Sequence, residues 1–251
     1  MLRPTEMAGW VVGAALGPAL GLGAMLRRSR VIHPRGVVLR GTARPAPEAV
    51  TPLGSELARR LSGPALVRLS GSLWKDAPSL PDTLGCAIRF GGGDPAEPPA
   101  GAQDILFTTL RSMALLVPAL LTTDQHDYLG NDYFAIAPFE LHGHGWIHLR
   151  LRPRGQAERT TTRHGADRDE RLLAAIARHQ AIFVLEARSA RWRSEWVPAL
   201  TIHLDEPVTD ASSLQFSPFR TTEGLTPRGF WHHTRHVPYR ASQWARRATS
   251  G

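Results

Sequence analysis

The chain has 251 residues, of which 42% are hydrophobic and 21% charged, so it can bury a sizeable core and is not globally disordered. The formal charge is +8, but the 30 basic residues (all arginine except Lys75) are spread along the chain rather than gathered in a block, so nucleic acid is not an expected partner. The one cysteine, Cys86, excludes an intrachain disulfide framework, a CxxC pair and a multi-thiolate zinc site; it reads as a small buried apolar residue.

Residues 8–26 carry no charge, and their length is near the minimum for a membrane span. Gly9, Gly13, Gly17 and Gly21 would form one smooth helical stripe, and Arg27, Arg28 and Arg30 follow at once. Two readings stand side by side. One is an anchor that leaves the rest of the chain in the cytoplasm, held at the inner face of the membrane. The other is an apolar arm packed on the domain or on a second copy in a homo-oligomer. A signal peptide ranks behind both. The expected division is therefore 1–29 as arm or anchor and 30–251 as one domain.

From residue 36 the pattern turns to period two and short apolar runs. Strands are expected over 36–43, 64–70, 84–90, 103–109, 132–138, 145–152 and 197–204. In 146–151, Ile147, Leu149 and Leu151 share one face, and Trp146, His148 and Arg150 the other. The segments 91–101 and 152–156 are turns, and the polar stretch 157–169 reads as a mobile loop. Helical signals are fewer. Residues 112–129 read as a helix interrupted near Pro118. In 169–190, Leu172, Ile176 and His179 have helical spacing, and the later half could be a strand. A terminal helix is expected within 230–248. Many strands and few helices predict an α+β fold, mainly an antiparallel β-barrel with flanking helices.

Three groupings could carry chemistry. His142, His144 and His148 would share a face of one extended strand, as a metal site requires, although a glycine-rich turn into a strand explains the same residues. His232, His233 and His236 read as a solvated helix face. If 235–247 is helical, Arg235, Tyr239 and Arg246 fall within about 40° of each other on the helical wheel. That puts a phenol between two guanidiniums, which is either a covered surface groove or a phenolate held ionised by cations. No GxSxG elbow is present, and Ser70 does not sit on a sharp strand-to-helix turn.

At this point the residues resemble a known family. Arg30-Val31-Ile32-His33-Pro34-Arg35-Gly36 is similar to the distal-histidine segment of haem catalases. Val67-Arg68-Leu69-Ser70, the run from Pro81 through Gly85 to Phe90, and Asp104-Ile105-Leu106 resemble that family's next motifs. Phe216-Ser217-Pro218, Gly224, Pro227, and Arg235-His236-Val237-Pro238-Tyr239 with Arg246 seven residues on resemble its proximal end. The matches keep the family's order over roughly 30–247, and the chain looks like the small, catalase-related class.

The resemblance implies a catalase-like barrel holding haem b and its iron. His33 would stand over the distal face, oriented by Ser70. Tyr239 would be the axial iron ligand as tyrosinate, its charge held by Arg235; Arg30, Arg68 and Arg246 would pair with the haem propionates. Hydrogen peroxide, or an organic or lipid hydroperoxide, would be the substrate, with His33 moving the peroxide proton. Three departures qualify the activity. Thr108 stands where the family has a distal asparagine, Met113–Leu121 lacks the aromatic that covers the haem, and Pro238 precedes Tyr239 rather than following it. Two other readings stay open: a non-catalytic haem-binding or sensing protein, and a haem-free metal-dependent hydrolase using the histidines of 142–148.

Overall fold

The computed structural model describes residues 36–71, 82–111, 116–154, 167–191, 193–211 and 213–229. Among these residues ten strands and three α-helices run in the order β1 (Gly36–Pro45), α1 (Pro52–Leu61), β2 (Gly63–Gly71), β3 (Leu84–Phe90), β4 (Gln103–Thr108), α2 (Leu116–Thr122), β5 (Tyr133–Ala135), β6 (Phe139–Leu141), β7 (Gly145–Pro153), α3 (Arg168–Ala177), β8 (Ile182–Ser189), β9 (Val197–Pro207) and β10 (Leu225–Pro227), with a short 3-10 turn at Tyr128–Gly130 before β5. All pairings are antiparallel. β1 to β5 form a meander, β5 pairs with β7, and β7–β8–β9 returns to β1. The β7–β8 pairing closes eight strands into a barrel, while β6 and β10 extend from β7 as a spur. Closure removes the unpaired edges that an open sheet of these strands would leave.

Alternation fills the barrel. Leu39, Val67, Leu69, Cys86, Ile88, Ile105, Phe107, Ile147, Leu149, Leu151, Phe183, Leu185, Ile202 and Leu204 point inward into one core. Ile147, Leu149 and Leu151 thus share the inner face as their spacing requires. Cys86 is buried there and its thiol is pushed up by desolvation, the inert apolar role expected of it. Tyr133 meets Phe183 edge to face, with ring centroids 5.8 Å apart.

The helices depart from expectation. α1 had no counterpart in the sequence reading. Thr51 caps it, accepting from Gly54 N at 3.1 Å, Pro52 opens it, and Leu57, Ala58 and Leu61 are buried. A Cβ on Gly54 would come within 2.5 Å of Pro198 O, so the helix lies close on β9. Pro118 does not interrupt α2: it is the third residue of the helix, where no intrahelical acceptor awaits its missing N–H. Within 169–190 the helix ends at Ala177, and His179 adopts φ 57 at the break before β8, so it does not continue the Leu172–Ile176 face. The predicted loop 157–169 loses its end to this helix, because Asp167 already caps α3, its N–H donating to Glu170 Oε2 at 3.3 Å. The strand expected over 132–138 shortens to β5 (Tyr133–Ala135), and the next strand, β6, begins only at Phe139, beyond its expected limit. No helix among the described residues is long and apolar enough to cross a membrane, and 8–26 and 230–248 lie outside them.

Phe183 is fully buried at the closing seam. Phe183→Ala is expected to cost about 3–5 kcal/mol, read as a lower urea midpoint at unchanged slope.

Candidate functional site

With the barrel interior filled by side chains, a ligand can be held on the outer face or at the rims. On the outer face of β1–β4 the strand registers line up three rows. The first is Gly36, Ser70, Gly85 and Thr108; the second is Val38, Arg68, Ala87 and Leu106; the third is Arg40, Leu66, Arg89 and Asp104. Four strands make this surface about 14 Å across. The first row carries no bulky side chain, and Ser70 and Thr108 are buried there on either side of Gly85. Three of the residues singled out in the sequence, Arg68, Ser70 and Thr108, therefore share one face and two adjacent rows. His33, Arg30, Arg235, Tyr239 and Arg246 lie outside the described residues.

Glycine matters at Gly36. A Cβ there would meet Leu69 O at 2.4 Å and Ser70 Cβ at 2.8 Å, and would lie 3.1 Å from Arg68 Nη2. The bare backbone lets the Arg68 guanidinium lean over β1 at the margin of the surface. The Thr108 hydroxyl accepts from Leu110 N at 3.3 Å, which leaves its O–H as the donor. Gly36 and Gly85 lie within the catalase-like motifs. Their signal is glycine inside a strand, which marks close approach of a backbone or ligand.

One wall of this surface comes from residues 214–222. Leu214 and Phe216 pack on Val38 and Leu66, with Ala87 and Leu106 against the same cluster. Beneath them Arg89 and Asp104, both fully buried, pair at 3.1 Å. Burial pushes the Asp104 carboxyl up, while the Ser217 N–H and the guanidiniums of Arg89 and Arg220 hold it down.

The histidines of 142–148 do not converge. Gly143 and Gly145 take φ 81 and 75, so His142 and His144 sit in a turn before β7 rather than on one extended strand. His142 lines a polar cleft of about 560 Å³ with Arg59, Arg60 and Glu223, where two guanidiniums oppose a cation. His148 lies on the outer face of β7 opposite Arg188. Among the described residues no group of three or more His, Cys, Asp or Glu could hold a metal ion.

Two of the three tyrosines are settled by burial. Tyr128 and Tyr133 are enclosed in the core, and desolvation pushes both phenols up, away from ionisation. The Tyr133 hydroxyl donates to Tyr128 O at 2.8 Å.

No family model and no curated protein matches the chain. Among solved structures, the crystal structure of a fungal catalase is similar with a TM-score of 0.54 at 13% identity, over 86% of this chain and 61% of that one. This chain thus corresponds to less than two thirds of that catalase's length. The likeness is one of fold: the closed antiparallel eight-stranded barrel with a few helices is catalase-like.

Burial first, and then Arg188, hold the His148 imidazole below its usual range. As pH falls through about 6.5, the unfolded chain gains a proton that the folded chain does not, so stability drops. His148→Asn is expected to flatten that part of the slope, measured as urea midpoints from about pH 7 down to 5.

Proposed function

We propose that the chain binds haem b against the outer face of β1–β4 and acts as a haem-dependent peroxidase or hydroperoxide-converting enzyme. The observation that carries this reading is the alignment of Gly36, Ser70, Gly85 and Thr108 in one row, with Arg68 in the next, on a catalase-like barrel. A flat apolar macrocycle with carboxylate arms needs a flat wall, polar groups near its centre and a cation at its margin. Ala87 and Leu106 supply apolar surface, Ser70 and Thr108 hydroxyls, and Arg68 the cation, so the residues present fit the group. In this reading Tyr239 would hold the iron. The burial of Tyr128 and Tyr133 supports it, because the chain has three tyrosines and these two are held protonated in the core. Haem bound there supplies ferric iron for cleavage of a peroxide O–O bond.

The remaining chemistry belongs to the chain. His33 takes the proton from the hydroperoxide and delivers it to the leaving oxygen; Ser70 orients the imidazole by hydrogen bond. Thr108, in the same row as Ser70, would offer its one O–H to the ligand, a shorter reach than an amide has. Arg68, with Arg30 and Arg246, would pair with the propionates, and Arg235 would hold the tyrosinate charge. The apolar run Met113–Leu121, with no aromatic in it, suits an organic hydroperoxide as well as hydrogen peroxide.

The purified protein is expected to take up about one haemin per chain with a ferric-tyrosinate spectrum. Tyr239→Phe should abolish that spectrum, and a colourless protein that refuses haemin ends the reading. His33→Ala should retain haem while turnover falls by about 10²–10⁴-fold, the usual worth of general acid–base catalysis. Gly85→Val, which adds bulk between Ser70 and Thr108, should weaken haemin uptake while far-UV circular dichroism is unchanged.

A further inference from the structure

Residues 214–222 are held to the barrel by a dense polar seat. Ser217 N donates to Asp104 Oδ2 at 2.7 Å, Arg220 pairs with the same oxygen, and Asp104 N donates to Arg220 O at 3.1 Å. Arg89 spans the junction: its Nε donates to Asp104 Oδ1 and its Nη2 to Gln215 O at 2.6 Å, while its guanidinium lies 5.5 Å from the Phe216 ring centroid. Gln103 adds a second rung, its Nε2 donating to Arg220 O at 3.2 Å and its Oε1 accepting from Thr222 N at 2.9 Å. The apolar side of the segment meets Val38 and Leu66. Ala87 and Leu106, packed against that cluster, belong to the second row of the surface proposed for haem, two residues from Gly85 and Thr108.

We propose that residues 214–222 form a strap whose position on the outer face is set by Asp104, and that Asp104 is thereby a positioning residue for the ligand held on that face. The proposal rests on the haem reading. A fully buried carboxylate shared by two guanidiniums and a backbone N–H has few alternative arrangements, because any shift leaves a charge unpaired away from water. The strap is therefore seated in one place, and so are the Leu214 and Phe216 side chains that bound the surface.

Deleting the Asp104 carboxyl alone strands Arg89 and could unfold the chain. The test uses the paired replacement Arg89→Met with Asp104→Leu, which substitutes apolar bulk for the buried ion pair and preserves the barrel. Arg220→Gln is the milder second variant. Hydrogen exchange of the peptide 213–222 without haem reads the seat itself, and haemin titration with the visible spectrum reads its consequence. In the paired variant, exchange should accelerate in 213–222 but not in β1–β4, and haemin should bind about 10- to 100-fold more weakly, roughly the worth of burying one large apolar side chain. Arg220→Gln should move both readouts in the same direction by less. A variant that binds haemin as tightly as the unaltered protein, or one that weakens with no change in exchange, overturns the strap's role while the haem reading stands. Failure of the unaltered protein to take up haemin overturns both.

Discussion

The constraint on which the structure depends is closure of an antiparallel sheet whose side chains alternate. Once β8 pairs with both β7 and β9, and β9 with β1, every second residue of eight strands is committed to a single interior. That interior is filled by Leu, Ile, Val and Phe, with Tyr133 and Cys86 among them. Chemistry is displaced to the outside, where the same alternation sets Ser70, Gly85 and Thr108 side by side. A one-residue slip of β2 against β3 would turn Ser70 and Arg68 inward and the hydrophobic set outward, so the core enforces the register of the candidate site.

Charge on the outer face is organised in two ways. Near β7 and β8 it is paired half-buried: Arg150 with the buried Glu186, and both Arg150 and Arg188 stacked on Trp196. Over β3 and β4 it is buried. Arg89, Asp104 and Arg220 would be a costly inclusion if they only stabilised the barrel, since apolar residues of similar volume serve as well. Their specific effect is to fix where a non-strand segment lies, which apolar packing of Leu214 and Phe216 could not do as sharply. The catalase-like fold thus presents a smooth row, a cation and a fixed wall on the same four strands.

Much of the barrel was legible in the sequence. Strands β1 to β4, β7 and β9 appear near their observed limits because alternating Val, Ile, Leu and Phe between turn residues signals a half-buried strand. α1 was not seen: it is ten residues long, and its Thr51-Pro52 start and Leu53–Leu57–Leu61 spacing are short-range signals easily absorbed into a polar connection. His179 has helical spacing from Ile176, but its left-handed backbone ends the helix, a choice made by the need to turn into β8. The histidines of 142–148 alternate on paper, yet two glycines with positive φ bend the chain before a shared face can form.

For the candidate site, Arg68, Ser70 and Thr108 were reached only through the resemblance of their motifs to those of the catalase family, which is carried by short local runs of residues. Sequence alone determined the alternation, the turns, the absence of a disulfide framework and the resemblance in motif order. Only the tertiary structure decided that Gly36 and Gly85 flank Ser70 in one row, that Tyr128 and Tyr133 are sealed in the core, and that Asp104 receives Ser217 from 113 residues away. The physical reason is the same in each case. Periodicity is a property of neighbours along the chain, whereas cross-strand register, desolvation and long-range ion pairing exist only after the sheet has closed.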